Sequence, residues 1–204
     1  MIGVQQANEP NQFNASVRTP GMAYLASLLP HQRPDFRNRN YWKTILRDLH
    51  AAYGGICAYT CHWMAYDVGS DTVEHFRPKS AYPNLAYEWT NYRLVCSRMN
   101  ARKGRFEDVI DPFDVTPGMF TLHFPSLNVV TGSNLTNTQR TLVETTIRRL
   151  RLNDPRSIDT RQEYVKSYLA KHISAAYLRD KAPFLMSELV RQSLDKRKLK
   201  KIFK

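Results

Sequence analysis

The chain has 204 residues, 42% of them hydrophobic, which is enough for one domain with its own core and too apolar for a disordered protein. Thirty Lys and Arg stand against 18 Asp and Glu, a formal net charge of +12 at pH 7, which favours a polyanionic partner, nucleic acid before others. No apolar run approaches the roughly 20 residues that span a bilayer, and Met1-Ile2-Gly3-Val4 has neither the charged head nor the apolar run of a secretory signal, so a cytoplasmic protein with no membrane partner is expected.

In chain order, residues 1–39 read as an irregular arm, with turns at Thr19-Pro20-Gly21 and Pro30-His31-Gln32-Arg33-Pro34 and one short helical stretch near Met22 to Leu29. Asn40 to Tyr53 predicts a helix capped by Asn40 and ended by Gly54-Gly55. Tyr41 or Trp42, with Ile45, Leu49 and Tyr53, form its core stripe, and His50 sits on the flank without a chemical role. Cys57 to Gly69 is irregular. A β-prone run then ends in Val73-Glu74-His75-Phe76-Arg77-Pro78-Lys79-Ser80. Asn91 precedes a second apolar run, Tyr92-Arg93-Leu94-Val95, and Asn100-Ala101-Arg102-Lys103-Gly104 fits a short basic helix.

Beyond the turns at Asp111-Pro112-Phe113-Asp114 and Thr116-Pro117-Gly118, the runs Phe120 to Phe124 and Leu127 to Val130 predict a hairpin. Helices are expected over Thr138 to Leu150, Ser157 to Leu178 and Pro183 to about Leu199. The basic segment 196–204 reads as a mobile tail. The expected class is therefore α+β, with an arm (1–39), a core carrying the acid-histidine pair (40–110), a hairpin and helical part of the same domain (111–195), and the tail (196–204).

Hydrolysis of a phosphodiester needs an activated water, stabilisation of added negative charge and help for the departing oxygen. A divalent cation held by carboxylate and amide oxygens supplies the last two, and a neutral histidine supplies the first. His75 is the candidate base, and Glu74 and Asn100 are the candidate ligands of Mg²⁺ or Mn²⁺. Asn91 is placed to hold the imidazole, and Arg77, Lys79, Arg102 and Lys103 to grip flanking phosphates. Neighbours on a strand point to opposite faces, but Arg77-Pro78 should end the strand at this point and let Glu74 and His75 share a site. Taken singly, each of these residues has an ordinary structural reading, and only their joint spacing favours a site.

Glu74-His75, Asn91 and Asn100 followed by Lys103-Gly104 resemble the ββα-metal fold of HNH endonucleases. With Tyr41-Trp42, Cys57-Ala58-Tyr59, Trp89-Thr90-Asn91 and Ile110-Asp111-Pro112, the chain is similar to the HNH subunits of Septu-type and retron-associated anti-phage systems. That resemblance implies a general base at His75, Mg²⁺ held by Glu74 and Asn100, a base-orienting Asn91, 5′-phosphate products and an ATPase partner. Many such relatives carry two Cys-x-x-Cys pairs that bind a structural zinc. Here Thr60 and Met99 stand at two of the four positions and are poor ligands, so no structural zinc is expected. A salvage set of Cys57, Cys61, Cys96 and His62 would strain the adjacent Cys61 and His62. DNA is the favoured substrate. The alternatives are a nuclease of structured RNA such as tRNA, or a degenerate module that binds nucleic acid without cutting it.

Overall fold

Thr19-Pro20-Gly21, a turn by its sequence, opens a helix in the computed structural model, which describes residues 1–203. A π-helical stretch, Asn14–Arg18, runs directly into α1 (Thr19–Ala26), with Pro20 in the first turn, where its missing N–H is not needed. Gly21 is buried against the Tyr87 ring, where a Cβ would stand 2.2 Å from Cγ. The supposed turn is thus a proline for the helix start followed by a glycine for close packing. Phe13 and Val17 are fully buried, so the arm is anchored in the core at this helical stretch.

The chain divides into two compact units, residues 5–57 with 64–107, and residues 1–4, 58–63 and 108–204. In the first unit a 3₁₀ segment (Tyr41–Ile45) leads into α2 (Leu46–Ala52), where one continuous α-helix was expected. Trp42, Ile45 and Leu49 are buried as the stripe requires, and Gly54 and Gly55 end the helix at φ 57° and 68°. The Asn40 side chain does not cap. It donates to the Arg37 carbonyl at 3.3 Å. His50 holds the following loop through Nε2 and the Met64 carbonyl at 2.9 Å.

Strand β1 (Asp71–His75) pairs antiparallel with β2 (Tyr92–Cys96), Glu74 opposite Arg93 and His75 opposite Tyr92, and α3 (Ser97–Lys103) packs on both strands. The loop from β1 to β2 is long and carries single turns at Pro83–Leu85 and Trp89–Asn91.

The second unit holds the expected hairpin, β3 (Phe120–His123) with β4 (Asn128–Thr131), and, among the described residues, five α-helices. α4 (Asn137–Leu150) begins with a reciprocal Thr136–Gln139 capping box. The single helix expected over 157–178 is two, α5 (Pro155–Leu169) and α6 (Ala175–Lys181), broken where Lys171 takes φ 65° and Ser174 caps the restart. α7 (Pro183–Arg191) is likewise separated from α8 (Lys196–Ile202) by Ser193 at φ 51° and the Asp195 cap. α8 buries Leu199 completely, so residues 196–202 of the segment expected as a mobile tail form an anchored helix, while Lys204 lies outside the described residues. Helices with small two-stranded antiparallel sheets make the protein α+β, and none of its described helices is long and apolar enough to cross a membrane.

Candidate functional site

The end of β1, the loop after it and α3 enclose a polar cavity of about 310 Å³ in the first unit, lined by Glu74, His75, Lys79, Ser80, Asn100 and Arg105 among others. Glu74 and His75 both reach it although they are neighbours on a strand. β1 stops at His75, Phe76 N–H donates to the Asn91 carbonyl at 2.9 Å, and Pro78 turns the chain away.

The His75 ring is fixed from three sides. Its edges meet Trp42 (centroids 4.6 Å apart) and Tyr92 (5.1 Å), and Nε2 lies 2.9 Å from the Ala86 carbonyl. A carbonyl only accepts, so Nε2 carries the proton and Nδ1 keeps its lone pair. The same carbonyl takes the Tyr92 hydroxyl at 2.7 Å. Burial, and then the nearby Lys79 ammonium, lower the imidazolium pKa to about 3, so the ring is neutral across the physiological range.

Glu74 is buried on the other side. Lys103 Nζ lies 3.3 Å from its Oε1 but gives a hydrogen bond to the Phe76 carbonyl at 2.8 Å, and Oε1 makes no hydrogen bond. Burial raises the carboxyl pKa to about 7, against the pull of Lys103 and, more weakly, of Lys79 and Arg93. Asn100 Nδ2 donates to Thr72 Oγ1 (3.0 Å) and to the Val73 carbonyl (3.3 Å), and among the described residues no donor hydrogen-bonds its Oδ1. A buried carboxylate oxygen lacking a hydrogen bond and a spare amide oxygen, both lining one polar cavity, are hard donors of the kind Mg²⁺ or Mn²⁺ takes. The residues present therefore fit a divalent cation.

Three expected placements differ. Asn91 does not touch the imidazole. Its Oδ1 accepts from Arg77 N–H at 2.7 Å, and its Nδ2 donates to the carbonyls of Arg77 and Leu85, each at 3.0 Å. It thus staples both ends of the loop whose next residue, Ala86, holds the ring. Lys103 is not a surface grip for phosphate. It is wholly buried because a buried carboxylate needs a nearby countercharge. Arg77 is exposed but pairs with Glu107 at 3.2 Å, and Arg102 lies half-buried on α3. Lys79 does line the cavity, with Nζ 5.3 Å from the Trp42 ring. Arg105 lines it as well, and sequence reasoning passed over it. Ala86 was also missed, and since a backbone carbonyl leaves no residue-type signal, only the loop's conformation reveals it.

All three cysteines are free thiols, Cys57 and Cys61 buried and Cys96 half-buried. Cys96 N–H points at Cys57 Sγ at 3.4 Å, and the paired Cys57 thiol, then burial, push the Cys96 thiol well above its ordinary value. Met99 is fully buried. Among the described residues no group of three or more His, Cys, Asp or Glu is placed to hold a metal ion.

What fold and site define is an α+β protein whose antiparallel hairpin and following helix hold a buried acid, a neutral histidine and an amide around one polar cavity. The chain is similar to the Septu protein PtuB of Bacillus thuringiensis, 45% identical over 49 residues. That match covers 22% of this chain and 19% of the relative, so only about a fifth of the relative's length is spanned. No protein-family model matches the chain.

Proposed function

We propose that this chain is an HNH-type endonuclease that hydrolyses phosphodiester bonds, DNA favoured, with the help of a divalent cation. We further propose that it serves an anti-phage defence system beside an ATPase partner. The defence setting and the partner rest on the likeness to the Septu protein and on the motif. The observation that carries the chemistry is the pairing, in one cavity, of a neutral imidazole of fixed tautomer with a buried carboxylate oxygen that makes no hydrogen bond.

In this reading Glu74 and Asn100 hold Mg²⁺ or Mn²⁺, which when bound supplies positive charge to the phosphate and the departing oxygen. His75 Nδ1 accepts the proton of the attacking water, while Nε2–H stays on the Ala86 carbonyl and prevents the ring from turning. The burial that keeps the ring neutral also makes it a weak base. A phosphodiester in the cavity opposes that effect, because its negative charge favours the imidazolium. Lys79 and Arg105 flank the cavity and neutralise the phosphate. Asn91 acts one step back, through the loop.

The test is plasmid cleavage by wild type, His75→Ala and Asn100→Ala, each with Mg²⁺ and with EDTA, with tRNA as a competitor. Loss of about 100-fold or more in both variants, and full loss with EDTA, is expected. Undiminished cutting by His75→Ala would remove the assigned base, and preferential loss of tRNA would replace DNA by RNA as the substrate.

A further inference from the structure

We propose that the groove between the end of α5 and helix α8 binds the phosphodiester backbone of nucleic acid, as a second contact in the unit that does not carry the cavity. Taking the ligand as nucleic acid rests on the function proposed above, whereas the site itself stands on its own geometry. The groove is a concavity of about 430 Å³ lined by Leu169, Lys171, Lys196, Arg197, Lys200 and Lys201: five cations, one apolar residue and no carboxylate. Among the described residues none of the five cations forms an ion pair.

The charges are held rather than dispersed. Leu199 is completely buried, and Asp195 caps the helix by accepting from Lys198 N–H at 2.7 Å. Lys196 Nζ sits 4.1 Å from the Tyr168 ring of α5, and Lys171 stands just past the α5 terminus in a left-handed conformation, φ 65°. Four of the five cations stand on α8 and the fifth, Lys171, follows α5, so they line one groove only because α8 packs on α5.

Helix energetics do not ask for this arrangement. Lys196 and Lys200, like Arg197 and Lys201, are like charges one turn apart, which destabilise a helix. Lys196, Arg197 and Lys198 stand in the first turn, the end where the helix dipole disfavours cations. An ordinary solvated face interleaves acids with bases, and α8 has no acid. A polyanion relieves both penalties at once. A backbone of regularly spaced phosphates, which can enter a concavity, matches cations lining a groove better than a flat lipid surface does.

The experiment measures binding of a fluorescently labelled duplex oligonucleotide to the full chain in EDTA, so that cutting plays no part and failure of the nuclease reading leaves the result interpretable. Arg197→Gln/Lys200→Gln/Lys201→Gln is compared with Lys43→Gln/Arg47→Gln/Arg148→Gln, which removes the same charge from exposed positions elsewhere. The groove variant should bind about tenfold or more weakly and lower the slope of log K against log salt by about 2 to 3, while the control changes affinity by less than about threefold. Equal losses in the two variants, or no loss, overturn the proposal. So does a groove variant that loses binding to phosphatidylserine vesicles but not to the oligonucleotide. Thermal unfolding of each variant shows that it is folded.

Discussion

Glu74 and His75 are adjacent and buried, with pKa values shifted in opposite senses, so they act on folding with opposite signs. The histidine falls from 6.5 to about 3 on folding, so its contribution is complete above about pH 6.5 and is lost as pH falls. The carboxyl rises from 4.5 to about 7, so its contribution is complete below about pH 4.5 and is lost as pH rises. Between those limits the unfolded chain carries the proton on the histidine and the folded chain carries it on the glutamate. The proton counts match, and the pair adds no net pH dependence there. Glu74→Gln should expose the histidine alone, with stability rising by up to about 1.4 kcal/mol per pH unit across that window. His75→Asn should expose the glutamate, with a slope of similar size and the opposite sign. Urea unfolding of the three proteins at about pH 5 and about pH 6 measures both slopes, and two flat variants would mean that neither group is shifted as burial requires.

At the scale of elements, β1, β2, α3 and the β3–β4 hairpin were legible because their apolar runs are short, bounded by turn residues and correctly spaced. The first helix was legible from Met22 on but not at its start, because proline followed by glycine is the same signal whether a turn forms or a helix begins. Only the tertiary contact, Gly21 against the Tyr87 ring, settles it. Lys103 misled for a related reason: a lysine beside arginines on a short helix looks like a surface grip, and its burial follows from Glu74, far away in sequence. Glu74, His75, Lys79 and Asn100 line the cavity whereas Arg77, Asn91, Arg102 and Lys103 are not among its lining residues, and the partner that fixes the imidazole is main chain and was invisible. Gly21→Ala tests the packing. Alanine gains roughly 1 kcal/mol of helix propensity over glycine. Against that, the new Cβ must displace a buried ring that packs on Trp42, itself the neighbour of the His75 ring, and such overpacking costs about 1–3 kcal/mol. Net destabilisation is expected, measured as a lower urea midpoint at unchanged m-value. A stabilised variant would show that the close approach of α1 to Tyr87 is not made.

Over the whole molecule the excess of positive charge works against the fold and for the ligand. Thirty bases against 18 acids leave an excess of like charges that repel one another, while surface pairs such as Arg37–Asp35 and Arg149–Asp108, open to water, return little. Salt weakens both, with a screening length of about 10 Å at 0.1 M, and with a net charge of +12 the relief of repulsion is the larger effect. The free protein should therefore melt a few degrees higher as KCl is raised at moderate concentrations. The nucleic-acid complex should do the reverse: bound DNA stabilises the folded state by mass action, and salt removes that gain by weakening binding. The two melting curves are expected to converge as salt rises. Calorimetric scans with and without duplex DNA across a KCl series read this directly. Parallel curves, or a free protein that salt destabilises, would mean that the charge is locally balanced and that association with DNA is not driven by phosphate neutralisation.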